Sequence, residues 1–262
     1  MKHVTIKLKK KLKYRLDMSF LSEIQDYKSI KSFLSKKIQY GNKLVNINSL
    51  FTITGSVTSK VVIKSAVNYM DNIGAGLNNI QMIVYGDVGF SFGSRMVSGI
   101  LTLYGNCLDH AASGMRGGNL FIHGNTGNYL GGKPNSANEG ILDGLIYVKG
   151  NVGQNAIQRM RRGNIIIEGN IGDYACEEMI SGTIVITGKI GKSFAEGIKR
   201  GTIISKEKSL TKNYRIANNA EYNFINFFIN KISKIIDKKL FNKKAIISRY
   251  HGHKNKENIS EV

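Results

Sequence analysis

Two rows of glycine recur at one fixed interval, and they constrain the fold more than any other feature of this 262-residue sequence. Each member of the first row ends a short apolar segment, with successive spacings of 19, 19, 26, 19 and 19 residues: Gly86, Gly105, Gly124, Gly150, Gly169 and Gly188. Each member of the second row precedes such a segment, with the same spacings: Gly99, Gly118, Gly144, Gly163, Gly182 and Gly201. Two rows that keep one register indicate a structural repeat.

The segments between the glycines alternate with a period of two, which is typical of β-strands. In GTIVITG, for example, Ile184 and Ile186 alternate with Thr183, Val185 and Thr187. A strand this short is not stable alone, but stacking coils about 4.8 Å apart pairs each strand with its equivalent and buries equivalent residues in columns. One column contains Leu101, Leu120, Ile146, Ile165, Ile184 and Ile203, and a second contains Met96, Met115, Ile141, Met160, Met179 and Ile198.

These features predict an all-β solenoid, a parallel β-helix with 19-residue coils from about Ile80 to Ser205. The glycines fit its corners, where a positive φ or a close backbone approach excludes a side chain. The single long spacing adds seven residues within 128–143, a segment that contains the only proline, Pro134. The predicted domains are an N-terminal α/β cap, the β-helix, and a C-terminal helix and tail, over residues 1–50, 51–208 and 209–262. Both flanks are expected to cover open strand edges.

One outward row of the solenoid is apolar and needs a cover, because large apolar patches are rarely left in water. Its apolar members are Ile83, Phe121, Tyr147, Ile166, Val185 and Ile204, which we treat as candidate subunit-interface residues. Two covers are compatible with the sequence. One is another subunit, and the other is the chain's own C-terminal helix, whose apolar residues recur at near-helical spacing: Ile225, Phe228, Ile229, Ile232, Ile235 and Leu240.

The formal charge of +20 is concentrated outside the array. Residues 1–79 hold 14 Lys/Arg and 4 Asp/Glu (+10), residues 80–205 hold 11 and 9 (+2), and residues 206–262 hold 13 and 5 (+8). A nearly neutral array without interleaved aromatic residues argues against nucleic-acid binding. Within the array, basic residues cluster at one turn: Arg159, Arg161, Arg162, Lys199 and Arg200. This cluster predicts either a solvated face or a contact with an acidic chain, and Arg159 is expected to pair with Glu178 of the next coil.

No catalytic or metal-binding set is predicted. Cys107 and Cys176 occupy different repeat positions, and no second Cys or His pair follows Cys107 and His110. The carboxylates Asp87, Asp109 and Asp173 recur near turns, where hydrogen bonding explains them without acid–base chemistry. No apolar run is long enough to span a bilayer and the N-terminus lacks the apolar core of a signal peptide, so a cytoplasmic protein without a membrane partner is expected.

The repeat GNIGDYACEEMISGTIVITG resembles the GXGXG solenoid shared by the glutamate synthase C-terminal domain and the third, solenoid-forming subunit of formylmethanofuran dehydrogenase. RLDMSFL, LFTITGS, MDNIGAGL, HAASGMRGGNLFIHGNTGNYLGG and MRRGNIIIEGNIGDYA are similar to the corresponding solenoid subunit of the bacterial formyltransferase/hydrolase complex. EYNFINFFINKISKI and the following tail resemble that family's helical C-terminus. The terminal GHKNKENISEV departs from it, with an Asn where a glycine is expected, which puts the detailed contacts of the tail in doubt.

The resemblance implies a right-handed β-helix and a non-catalytic scaffold subunit in methylotrophic one-carbon metabolism. The implied complex moves a formyl group from formyl-tetrahydromethanopterin to a furan cofactor and then releases formate. Its other three members would be an amidohydrolase-like subunit, a formyltransferase subunit, and one further subunit without an assigned role. The implied cofactor is of the methanofuran type, and its glutamate-rich tail is a candidate ligand for the basic cluster at Arg159, Arg161, Arg162, Lys199 and Arg200.

Two alternatives to this interpretation stay open. The chain could be a structural protein like the GXGXG domain of glutamate synthase. It could also be a free-standing enzyme that uses the insertion at 128–143 as an active-site loop, although no converging acid, base or metal set supports this.

Overall fold

The computed structural model describes residues 3–206, 214–220, 223–238, 240 and 247–252. The predicted repeat strands are present as β8 to β14: Gln81–Tyr85, Ile100–Tyr104, Asn119–Ile122, Leu145–Val148, Asn164–Ile167, Thr183–Ile186 and Thr202–Ser205. They are preceded by β1 to β7: Val4–Leu8, Leu16–Asp17, Lys37–Tyr40, Lys43–Asn46, Phe51–Thr54, Lys60–Ile63 and Met70–Asp71. After the array come β15 (Tyr214–Ala220), α3 (Asn223–Ile235) and β16 (Ile247–Gly252).

Parallel pairing of equivalent strands confirms the predicted solenoid. Within the described residues, ten strands form one sheet in the order β14-β13-β12-β11-β10-β9-β8-β6-β1-β5. In this register Leu120 lies between Leu101 and Ile146, as the first predicted column requires. Every member of both predicted columns is buried. The core is therefore a set of apolar columns along the solenoid axis, stabilised by the transfer of these side chains out of water.

The two glycine rows have different physical causes. At Gly105, a Cβ would lie 2.2 Å from the carbonyl oxygen of Gly86 in the preceding coil, so close backbone approach excludes any side chain. Gly163, in the second row, has a φ of +103°, a left-handed conformation that other residues rarely adopt. After Gly86, which has a φ of +110°, the first row is required by close approach between coils, whereas every member of the second row has a positive φ where the chain turns into the next strand.

Residues other than glycine also adopt positive φ in each coil, which the sequence did not predict. Examples are His110 (φ 65°) and Ala112 (φ 56°) in one coil and Tyr174 (φ 58°) in a later one. The backbone is held in this shape by hydrogen bonds to both neighbouring coils, from the His110 N–H to Asn128 O (2.9 Å) and from the Ala112 N–H to Phe92 O (2.8 Å). Inter-coil bonding offsets the local strain, so the repeat position rather than the residue type sets the conformation.

The N-terminal segment has the predicted α/β character but extends the sheet instead of only covering it. It contains a 3-10 helix (Ser19–Asp26), α1 (Ile30–Leu34), α2 (Ile47–Leu50) and the β3–β4 hairpin. β1 pairs parallel to β6 and antiparallel to β5, which places β5 at the edge of the sheet. Pairing of β6 with β8 starts the array one coil before Ile80. The domain boundaries stay a prediction, and the terminal segment at 253–262 lies outside the described residues.

Candidate functional site

The outward apolar row is covered over most of its length by the chain's own C-terminal helix. Tyr147, Ile166 and Val185 are buried in a second apolar cluster together with Ile232 and Leu240. Phe121 and Ile204 are partly buried against the same cluster. A helix of 13 residues is about 20 Å long, close to the four spacings that separate five strands. We infer that α3 lies across β10 to β14, so this part of the row is an internal contact.

The predicted apolar stripe of this helix needs one correction. Ile235 is 45% exposed, whereas Ile236 packs against the cluster and Leu240 is buried within it. α3 ends at Ile235 and the chain turns at Asp237, whose φ is 51°. Ile236 still donates its N–H to Ile232 O (3.0 Å) and takes the place in the stripe that was predicted for Ile235, whereas Leu240 reaches the cluster after the turn. The side chain of Ile225 lies outside the described part of the chain.

A carboxylate anchors the segment after α3 to the solenoid. Glu168 accepts a hydrogen bond from the Tyr147 hydroxyl (2.5 Å) and pairs with the ammonium group of Lys238. Burial, together with the hydrogen bond to Glu168, raises the pKa of Tyr147 above its ordinary value, so the phenol remains a donor. Sequence analysis missed this anchor because Glu168 and Lys238 are 70 residues apart.

The basic turns divide into paired and unpaired cations. Arg159 pairs with Glu178, which confirms the predicted ladder ion pair, and Arg161 pairs with Glu139 of the insertion at 2.8 Å. Arg162, Lys199 and Arg200 are exposed and form no ion pair with any residue that the structure describes. The structure therefore leaves three of the five predicted cations available to an anion.

The insertion packs against the solenoid. Pro134 fills the space beside Gly114, where a Cβ would lie 2.7 Å from its Cγ. Arg95 donates to the Ser136 hydroxyl (3.2 Å), and the Gly140 N–H donates to the carbonyl of Arg159 (3.0 Å). Both carboxylates of the segment are engaged, Glu139 by Arg161 and Asp143 by the N–H of Gly144 (2.7 Å). This arrangement presents no free pair of carboxylates for acid–base work.

An exposed aromatic ladder follows the same strand position over three coils. Tyr85 and Tyr104 stack with ring centroids 5.1 Å apart, and Tyr104 stacks on His123 at 4.5 Å. Burial, with a smaller contribution from the nearby charge of Lys149, lowers the pKa of His123. The 19-residue spacing of these rings was visible in the sequence, but only the strand register shows that they stack.

The remaining reactive side chains have structural partners. Asp87, Asp109 and Asp173 each accept a hydrogen bond from a backbone N–H of the next coil, at 2.7 to 2.8 Å. Burial raises the pKa of both Cys107 and Cys176, which keeps these thiols protonated and unreactive. No group of three His, Cys, Asp or Glu residues suited to a metal occurs in the described part of the chain. None of the helices described here is long and apolar enough to cross a bilayer.

Columns of apolar residues, rows of corner glycines and polar ladders between coils define the protein as a parallel β-solenoid. The family model of the GXGXG motif matches residues 23–258, and the chain therefore belongs to the GXGXG family. A comparison with curated proteins found no match.

Among solved structures, the chain is similar to one from the X-ray crystal structure of the formyltransferase/hydrolase complex (FhcABCD) from Methylorubrum extorquens in complex with methylofuran. The sequences are 27% identical and the TM-score is 0.87. The match covers 98% of this chain and 97% of the other, so flanks and solenoid both have equivalents in a chain of that complex.

Proposed function

We propose that this protein is the solenoid subunit of a formyltransferase/hydrolase complex and serves there as a non-catalytic scaffold. The observation that carries the proposal is the end-to-end similarity to a chain of such a complex, with a TM-score of 0.87 over 98% of this chain. The partners would be the amidohydrolase-like subunit, the formyltransferase subunit and the fourth member of the complex. Formyl transfer and hydrolysis would take place on those partners, in the cytoplasm.

The chemistry of the described residues supports a scaffold role. The carboxylates at the turns bond the backbone of neighbouring coils, and both cysteines are buried. The carboxylates of the insertion are held by Arg161 and by the backbone. A catalyst needs a base and a nucleophile or electrophile that converge on one point, and these groups are instead spread along the solenoid axis.

Co-purification tests the proposal. The tagged chain is expressed in its native host, recovered at low salt and analysed by mass spectrometry, and we expect an amidohydrolase-like protein and a formyltransferase in fixed ratio with it. The isolated chain should neither transfer nor hydrolyse a formyl group. Turnover by the chain alone would refute the scaffold role in favour of a free-standing enzyme. Recovery of the chain without partners would refute its membership of such a complex.

We further propose that the unpaired cations contact the glutamate-rich tail of a methanofuran-type cofactor. Arg162 and Arg200 occupy one repeat position two coils apart, about 10 Å, and Lys199 precedes Arg200. An extended chain of carboxylates can follow such a row at this spacing. Arg159 and Arg161 would contribute less, because Glu178 and Glu139 already neutralise them.

A binding experiment with synthetic oligoglutamate tests this contact. The triple variant Arg162→Ser, Lys199→Ser and Arg200→Ser should bind the oligomer more weakly and with a smaller dependence on salt than the unmodified chain. The matched control is Lys149→Ser, Lys189→Ser and Lys192→Ser, which also removes three positive charges, from exposed lysines away from this turn. Equal binding by the triple variant and the control would refute the assignment of these cations.

A further inference from the structure

Next to the strands covered by α3, the same sheet face remains open to solvent. On β8 and β9 the outward side chains alternate with the buried columns, and they include three large exposed residues. Ile100 is 37%, Tyr85 44% and Tyr104 46% exposed. Together with Ile83, Thr102 and His123 they form what we call the aromatic patch, defined by Ile83, Tyr85, Ile100, Thr102, Tyr104 and His123.

The patch continues a surface on which the chain already binds a helix. Thr102 pairs in register with Phe121, and Phe121 pairs with Tyr147, so one row passes from the patch to the residues beneath α3. The sheet presents the same strand spacing and a similar apolar character on both sides of this boundary. An amphipathic helix that crosses the strands therefore suits the patch for the same reasons that α3 suits its neighbour.

The charge around the patch selects the kind of helix. An exposed lysine lies at each end of the aromatic ladder: Lys64 one coil before Tyr85, and Lys149 one coil after His123. Outward positions of β8 to β10 carry no carboxylate, and Glu168, the next member of the row, is engaged by Tyr147 and Lys238. An occupant with carboxylates beside its apolar face would be complementary to this surface.

Other occupants fit less well. The stacked rings use their faces on one another, with interplanar angles of 10° and 8°, so bases of a single-stranded nucleic acid find few free ring faces. A second copy would bring two chains of charge +20 together. The chain's own residues 241–262 contain five Lys/Arg and two Glu, and they are thus basic as well.

We propose that the aromatic patch is the docking site for an amphipathic, acid-flanked helix of a neighbouring subunit, an inference that rests on the proposed function. The pre-stacked tyrosines would be its anchors, since ordered aromatic side chains lose little conformational entropy on binding. The helix lies beside α3 and continues the helical layer over the outer face of the sheet.

Site-specific photo-crosslinking in the assembled complex tests the location. A photoreactive phenylalanine analogue replaces Tyr104 in one variant and, as a control on another corner of the solenoid, Tyr174, which is 51% exposed. We expect Tyr104 to cross-link to one partner protein, at a peptide that is helical and carries Asp or Glu beside an apolar stripe. Cross-links from Tyr104 that lead to nucleic acid, a second copy, residues 241–262 or an acid-free segment would overturn the proposal.

Affinity measurements with matched variants test the energetics. The double variant Ile100→Ser and Tyr104→Ser should bind the purified partner proteins about 30-fold more weakly, as loss of an anchor does. Tyr174→Ser should bind like the unmodified chain. Lys64→Ser with Lys149→Ser should weaken binding less and reduce its salt dependence.

These outcomes separate the docking site from the proposed function. A complex that assembles with equal affinity from all variants would disprove the patch and leave the scaffold role intact. If the unmodified chain assembles with no partner, both proposals fall. The altered side chains lie outside the core columns, so the thermal midpoint should fall only slightly in the double variant, through the loss of ring stacking by Tyr104, and stay unchanged in the lysine variant. If the double variant unfolds, the lysine variant and the cross-linking result still decide the question.

Discussion

Two parts of one sheet face differ in a way that the repeat itself does not specify. Over β11 to β13 the outward row is shielded from solvent, and Tyr147 is 4% exposed beneath α3. Over β8 and β9 the same face is open, and Tyr104 is 46% exposed. Both regions have the same coil length and strand register. The repeat therefore determines the inside of the solenoid, whereas the environment of the outward side chains depends on which segment lies against them.

A carboxylate placed at the same repeat position in each region should give the largest difference in stability between the two regions. Ile166→Asp buries an unpaired charge under α3 and should lower the free energy of unfolding by about 3 to 5 kcal/mol or detach the helix. Thr102→Asp, at the equivalent open position, should change it by less than about 1 kcal/mol. Urea denaturation measures both. Similar losses would mean that the two regions are not differently covered.

Shortening a buried side chain of α3 should have the next largest effect on stability. Ile232 is buried in the contact with the sheet, and Ile232→Ala should cost about 2 to 4 kcal/mol of helix docking. Phe227→Ala is the control because this side chain is 68% exposed. Hydrogen exchange should accelerate in α3 while β8 and β9 stay protected. Acceleration in β8 as well would show that the two regions unfold as one unit.

The polar anchor offers a smaller perturbation. Glu168→Gln removes the charge that holds Lys238 and weakens the bond from Tyr147, which should cost about 1 kcal/mol. Glu196→Gln changes an exposed carboxylate on another corner and should leave the stability unchanged. Thermal unfolding compares the two variants. If Glu168→Gln leaves the thermal midpoint unchanged, apolar contacts alone hold α3 in place.

The weakest expected effect concerns the pH response of the open region. Because burial and Lys149 lower the pKa of His123 below the ordinary value of 6.5, the folded chain favours the neutral ring. This contribution to stability is present above the unfolded pKa and is lost as pH falls through the folded pKa. The free energy of unfolding of the unmodified chain should therefore fall relative to that of His123→Phe as pH drops below about 6.5.

An NMR titration of the His123 ring provides the direct measurement. Lys149→Gln should raise the pKa of His123 towards the ordinary value, since it removes a nearby positive charge. Lys189→Gln, an exposed lysine two coils further along the solenoid, is the matched control. A pKa of His123 at or above the ordinary value would contradict the prediction.

Much of this architecture could be predicted from residue spacing. Repeating glycines and alternating apolar residues predicted the strands, their register and the buried columns, because in a stacked solenoid each residue meets its own equivalent one coil away. The ion pair between Arg159 and Glu178 was predictable for the same reason. The pairing of Arg161 with Glu139 was not, because the insertion departs from the repeat and its path depends on Pro134 and Gly114.

The coil, its core and the family could be recognised from residue spacing alone, since those properties depend on contacts at one constant separation along the chain. Tertiary structure alone decided which part of the outward row is buried and which cations remain unpaired. Both depend on contacts between segments without a common period, such as Lys238 with Glu168 and Ile232 with the sheet. An apolar outward residue looks the same in the sequence whether its own helix or a partner covers it, and only the position of α3 separates the two regions.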